Sequence, residues 1–175
     1  EIWCAASTHQ DEELLVGKTH KKIKILNKKI LTIIIPRHIN RSNNIKNDLE
    51  KIGLKTVTFS SGKNINSNTD IYLVDTYGEA SNFYALCKIT FLGGSIIKHG
   101  GQNPLEPARL GNYILHGPNI FNFKEVYSML KKFNISSRIK NQSDMEKIII
   151  NKMKYKQPYS INKKLYSIGK IILNK

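Results

Sequence analysis

Five short segments carry residue types that could do chemistry, and each stands just after an apolar run. They are Ser7-Thr8-His9-Gln10-Asp11-Glu12, Pro36-Arg37-His38, Asp75-Thr76-Tyr77-Gly78-Glu79, Gly93-Gly94-Ser95 and Gly100-Gly101-Gln102-Asn103-Pro104-Leu105-Glu106. In the last, two glycines let backbone approach a ligand, and the spacing predicts a helix with Asn103 as N-cap, Pro104 at N1 and Glu106 at N3. That pattern has two readings. Glu106 can return to the Asn103 amide as a capping box. Alternatively, the free amides receive a phosphate while the Glu106 carboxylate accepts hydrogen bonds from a pair of ribose hydroxyls. Thr76 and Glu79 share the capping-box spacing, so the same pair of readings applies there. Arg37 follows an apolar run, and its planar fork suits a phosphate or carboxylate, the alternative being a surface ion pair. His38 is either part of that site or a local hydrogen-bond partner. The other histidines, His9, His20, His99 and His116, show no paired metal-ligand spacing. There is no Gly-x-Ser-x-Gly elbow and no P-loop.

The elements that would carry these segments alternate. Strands are expected at Ile2–Ala6, Leu31–Ile35, Thr56–Phe59, Ile71–Val74, Ile89–Leu92 and Tyr113–His116. Helices are expected from about Asp11 to Leu26, around Ile45–Ile52 ending at Gly53, and at Ser81–Cys87, Leu105–Leu110 and Lys124–Phe133. Two more are expected near Ser143–Asn151 and Ile161–Leu173. Near-continuous apolar strands joined by helices imply crossovers, hence a parallel sheet covered on both faces. The polar stretch Ser60–Asn68 reads as a loop, not a boundary, because the alternation runs through it. The expectation is one α/β domain over residues 1–175, with its chemistry at the carboxyl ends of the strands.

Composition agrees with a globular chain. Of 175 residues 40% are hydrophobic and 23% charged, which excludes disorder, and no apolar run is long enough to cross a bilayer. The net charge is +15, but 24 of the 28 basic residues are Lys and only Arg37, Arg41, Arg109 and Arg138 are Arg. Lys, Ile and Asn are in excess together, as A/T-rich coding would produce, so a nucleic-acid partner is not expected. An anionic membrane surface remains compatible. Cys4 and Cys87 read as small buried hydrophobes. The opening Glu1-Ile2-Trp3-Cys4 is not a signal peptide and reads as the start of a fragment.

With Trp3-Cys4-Ala5-Ala6-Ser7-Thr8-His9 in front and Gly117-Pro118-Asn119-Ile120-Phe121-Asn122-Phe123 behind, the ordered segments closely resemble the C-terminal half of 3-deoxy-D-manno-octulosonic acid (Kdo) transferases. That family moves Kdo from CMP-Kdo onto the lipid A precursor in Gram-negative bacteria. The resemblance implies a two-domain GT-B glycosyltransferase of which this chain is the Rossmann-like nucleotide-sugar half. The absent N-terminal half would bind the lipid acceptor and supply the general base, at the cytoplasmic face of the inner membrane. It implies no cofactor and no metal, and no turnover by this half alone. By matched position, Glu106 would hold the ribose. Gly78, Glu79 and Ala80 would receive the phosphate together with Arg37, which would stabilise the leaving group, and Pro36 and His38 would belong to the same substrate-binding set. Gly94, Ser95, Gln102 and Asn103 would line the cleft. Departures are few: Asp11 stands where the family often has Gly, Ile39 where Pro is common, and Gln102 where His is frequent.

Overall fold

The computed structural model describes residues 1–154. Thirteen elements follow one another: β1 (Ile2–Thr8), α1 (Glu12–Leu26), β2 (Leu31–Pro36), α2 (Ser42–Lys51), β3 (Thr56–Thr58), β4 (Ile71–Leu73), α3 (Ala80–Leu86), β5 (Ile89–Leu92), α4 (Leu105–Arg109), β6 (Tyr113–His116), α5 (Lys124–Lys132), β7 (Ser136–Arg138) and α6 (Gln142–Lys154). The strands form one seven-stranded sheet in the order β3-β4-β2-β1-β5-β6-β7, and every pair is parallel. The expected helix at Ile161–Leu173 lies outside the described residues.

Strand alternation sorts the core into two layers. Trp3 and Ala5 of β1 point to the layer that also holds Val16 and Ile23 of α1, Leu49 of α2 and Ile149 of α6. Cys4 and Ala6 point the other way, to Phe83 and Tyr84 of α3, Ala108 of α4, and Tyr127 and Leu130 of α5. Both faces are therefore dry, which is why the central strands read as unbroken apolar runs rather than alternating ones. Cys4 and Cys87 are free and buried; burial and the neighbouring Cys87 push the Cys4 thiol up. Helix α2 closes as expected before Gly53, whose amide bonds the Glu50 carbonyl (2.8 Å) while the Leu54 amide reaches back to Leu49 (3.1 Å).

Two features were not in the sequence reading. The edge strand β7 is Ser-Ser-Arg, with no apolar period to announce it. It forms because Ile135 and Ile139 on either side are buried, while Ser136–Arg138 pair with Ile114–His116. The second is the place where the chain reverses direction across the sheet. From β1 it builds outward through β2 to β4 and β3, then crosses to β5 on the far side of β1. The loops leaving the carboxyl ends of the neighbouring strands β1 and β5 thus part to opposite sides, the switch point at which open parallel sheets carry the crevice that binds ligands.

Candidate functional site

Both sides of that crevice are held by one buried carboxylate. Glu12, the first residue of α1, has a fully buried side chain. Its Oε2 accepts from the amides of His9 (3.0 Å) and Gly94 (2.8 Å). Its Oε1 accepts from Ser95 (3.2 Å) and Ile96 (3.0 Å). The charge is thus met by four backbone donors and by the amino end of α1, not by a cation. Gly93 makes the approach possible: a Cβ there would lie 2.6 Å from Glu12 Oε2 and 2.6 Å from Thr8 Cα. The turn after β1 is shaped to match. Pairing with β2 shifts register between Ala6 and Thr8, and Ser7 takes φ 52, in the left-handed region, so the bulge re-aims the chain toward β5.

Three imidazoles stand above this clamp. His9 is 8% exposed, and its ring centroid lies 4.3 Å from that of His99 and 5.9 Å from that of His38. His38 and His99 are exposed. Burial, with His99 and His38 nearby, lowers the His9 pKa, against an opposing pull from Glu12. Gly94, at φ 63, lies under them; a Cβ on it would come within 3.1 Å of the His99 ring, 3.2 Å of His9 and 3.3 Å of Gln102 Nε2. The structure therefore brings Gly94, Gln102, His9 and His99 together, with His38 against the His9 ring. Among the described residues no group of three or more His, Cys, Asp or Glu side chains is placed to hold a metal ion.

Ser95 is not on the crevice surface. It is completely buried, its hydroxyl donating to the Leu92 carbonyl (2.5 Å) and accepting from the Gly117 amide (2.8 Å). Its side chain ties β5 to the turn after β6 and has no capacity to line a cleft. The turn after β6 braces the glycine loop further. Asn119 donates to the Ile96 carbonyl (2.9 Å), and Asn122 to that of His99 (3.2 Å). The Gly101 amide closes the loop on the Gly94 carbonyl at 2.8 Å.

The remaining residues of the sequence reading fall along the same edge. Pro36 ends β2 and is buried, while Arg37 is exposed and has no side-chain ion pair or hydrogen bond among the described residues. Its amide donates to the Thr8 carbonyl at 3.0 Å, which fixes it beside the β1 bulge. Tyr77 and Gly78 are exposed ahead of α3, where Glu79 precedes the first helical residue, Ala80. Neither capping box forms. Glu79 accepts from the Asn82 side chain (3.0 Å) and makes no cap bond. At α4, Asn103 Oδ1 accepts from the Leu105 amide (3.0 Å), so Asn103 caps alone. Glu106, exposed on the first turn, turns away to accept from the Ser81 hydroxyl on α3. That contact joins the starts of α3 and α4 and leaves the Glu106 carboxylate on the surface.

Sequence reasoning placed His9 and Glu12 in a candidate segment without giving either a role, set His99 aside as a lone histidine, and did not single out Glu13, which is gripped by both terminal guanidinium nitrogens of Arg41 at 3.1 Å. Burial raises the Glu13 pKa, with Arg41 pulling against it. Adjacent acids opening a helix ordinarily signal only a dipole contact. Both are buried, but what each one meets is set far away in the chain, the turn after β5 for Glu12 and Arg41 for Glu13, and no local pattern carries that.

No protein-family model matches the chain. Curated relatives do. A 3-deoxy-D-manno-octulosonic acid transferase from Haemophilus influenzae is 37% identical over 129 residues, 74% of this chain and 30% of the relative. One from Aquifex aeolicus is 27% identical over 175 residues, all of this chain and 48% of the relative. The chain spans half or less of the length of the curated relatives it matches. Among solved structures, the C-terminal CMP-Kdo binding domain of WaaA from Acinetobacter baumannii superposes with a TM-score of 0.87 at 27% identity, covering 100% of this chain and 90% of that one. The fold is thus a Rossmann-like half of the GT-B architecture. The chain belongs to the 3-deoxy-D-manno-octulosonic acid transferase family and is the counterpart of that family's C-terminal domain.

Proposed function

We propose that this chain is the donor-binding half of a Kdo transferase, taking CMP-Kdo at the carboxyl ends of β1, β2, β4 and β5. The observation that supports it most is the end-to-end match with a domain that binds CMP-Kdo. The geometry is compatible in detail. The consecutive amides of Gly94–Ile96 are already taken by Glu12, so the phosphate belongs at the turn Gly78-Glu79-Ala80 and Arg37. The exposed Glu106 carboxylate would accept from the two ribose hydroxyls, exchanging its bond with Ser81. Gln102 and Asn103 would flank the nucleotide-sugar along the loop ahead of α4.

In the transfer, a hydroxyl of the lipid A precursor attacks the anomeric carbon of Kdo, the bond to the phosphate oxygen breaks, and CMP departs with inversion. Negative charge grows on the phosphate as that bond lengthens, and the Arg37 guanidinium is placed to meet it. The hydroxyl's proton passes to a base on the other half of the protein. The acceptor, and with it the cytoplasmic face of the inner membrane, would be reached through that half; among the described residues no helix is long and apolar enough to cross a membrane. Nucleic acid has no part in this reading.

Calorimetric titration with CMP, UMP and orthophosphate tests it. CMP should bind in preference to UMP, and Glu106→Ala should weaken CMP about a hundredfold, the loss of two hydrogen bonds to a charged acceptor. Preference for UMP would overturn the donor assignment while leaving the fold untouched.

A further inference from the structure

At the carboxyl ends of β1 and β4, three buried polar atoms lack a hydrogen-bond partner among the described residues: Thr8 Oγ1, Thr76 Oγ1 and His9 Nε2, and only the last sits on a group that can take up a proton. His9 is only 8% exposed. The other ring nitrogen, Nδ1, lies 3.1 Å from the Ser7 carbonyl. A carbonyl can only accept, so neutral His9 keeps its proton on Nδ1 and presents a bare lone pair at Nε2. The groups facing that ring are Glu12 from α1, with Oε2 4.0 Å from Nδ1, His38 after β2 and His99 after β5. Glu12 is already engaged by four amides. Of the groups around the buried His9 ring, His38 and His99 are exposed and the half-buried Gln102 amide stands beside Gly94.

We propose that His9, His38 and His99 form the subsite for a carboxylate carried on the anomeric carbon of the donor sugar, occupied when His9 takes up a proton. This rests on the donor reading above and adds the group that distinguishes the sugar. A 2-ulosonic acid bears its carboxylate on the same carbon as the leaving phosphate, so the carboxylate must bind immediately beside the phosphate site. His38 is the next residue after Arg37, and His9 lies behind it. Neutral His9 would set its lone pair against the carboxylate oxygens. Protonated, Nε2 becomes a donor, and a charge-assisted hydrogen bond replaces the repulsion. Burial and the neighbouring imidazoles keep His9 unprotonated in the empty site; an entering anion reverses that balance, so binding and proton uptake are linked.

The test is calorimetric titration of the chain with CMP and with CMP-Kdo, in two buffers of different ionisation enthalpy. CMP-Kdo should take up about one more proton than CMP, and its affinity advantage over CMP should shrink as pH rises above neutral. His9→Asn retains a side-chain N–H for Ser7 but cannot be protonated. It should abolish the excess uptake and lower the ratio of CMP-Kdo to CMP affinity about tenfold, the loss of one charge-assisted hydrogen bond. His99→Gln should lower the ratio less and keep the uptake. Equal uptake for the two ligands, or undiminished excess uptake in His9→Asn, would overturn the subsite while CMP binding still supported the donor reading. Absence of CMP binding to the wild type would remove the donor reading and the subsite with it. If the variant does not fold, the wild-type comparison of the two ligands still decides.

Discussion

The two ends of the sheet each hold a buried histidine beside a buried carboxylate, and they treat them in opposite ways. At the amino end, His20 is wholly enclosed; its Nδ1 lies 2.8 Å from the Thr32 hydroxyl and its Nε2 3.3 Å from Asp70. Asp70 also accepts from the Lys55 amide (2.9 Å) and pairs with Lys24. Every nitrogen and both oxygens are satisfied, and the network pins α1 to β2 and to the chain entering β4. At the carboxyl end the carboxylate of Glu12 is satisfied just as fully, but the histidine above it is not. His9 leaves Nε2 unpaired, beside two exposed imidazoles and an Arg37 without a partner among the described residues. The same residue types build a lock where all bonds close internally and a site where some are left for a ligand.

The largest effect that would sharpen this contrast is Glu12→Ala. Removing that carboxylate strands four amides in the crevice, and stability should fall by roughly 3–5 kcal/mol, read as a lower urea midpoint, with CMP affinity falling in step because the β1 and β5 loops part. A variant with near wild-type stability and CMP binding would show that the clamp is not what shapes the site. At the amino end, Asp70→Asn should cost about 1–2 kcal/mol, as a hydrogen bond to a charged group weakens. It should leave CMP affinity within about twofold, because that network lies at the far edge of the sheet. Loss of CMP binding in Asp70→Asn would break the division between the ends.

A smaller effect is a pH slope. Burial lowers the His20 pKa in spite of Asp70, and lowers those of His9 and His116. For a base whose folded pKa is depressed, the unfolded chain binds more protons below its ordinary value. Stability is therefore complete above about pH 6.5 and declines as pH falls through the depressed values. The Asp70 pKa is also lowered, with Lys24 and the Lys55 amide outweighing burial, so its contribution is lost only on further acidification, below about pH 4. Urea unfolding at pH 7.5 and pH 5 should show the first decline, and His20→Gln should flatten part of it.

Much of the fold is legible in the sequence because burial on both faces writes itself as apolar runs. Leu31–Ile35 and Ile89–Leu92 could be nothing but central strands. Strand β7 was not legible, since Ser136–Arg138 owes its conformation to the register of β6 and not to its own residues. The strand-end segments gather along the carboxyl edge of the sheet, as their positions after apolar runs predict, but side-chain roles within them depended on long-range partners. Ser95 sits in the expected loop yet spends its hydroxyl on Leu92 and Gly117. Glu106, placed by its spacing to close a capping box, reaches instead to Ser81 across 25 residues. The roles of Glu12 and His9 stayed hidden because their partners, Gly94–Ile96 and His99, come from the far side of the chain's reversal.

The central claim is that nucleotide binds at the carboxyl end. The most direct measurement is backbone amide mapping by NMR as CMP is added. Saturable shifts are predicted at Arg37, Gly78, Glu79, Ala80 and Glu106, with Thr32, Lys55 and Asp70 unmoved. Saturable shifts centred on the amino-end network, or none at Gly78–Ala80, would contradict the account.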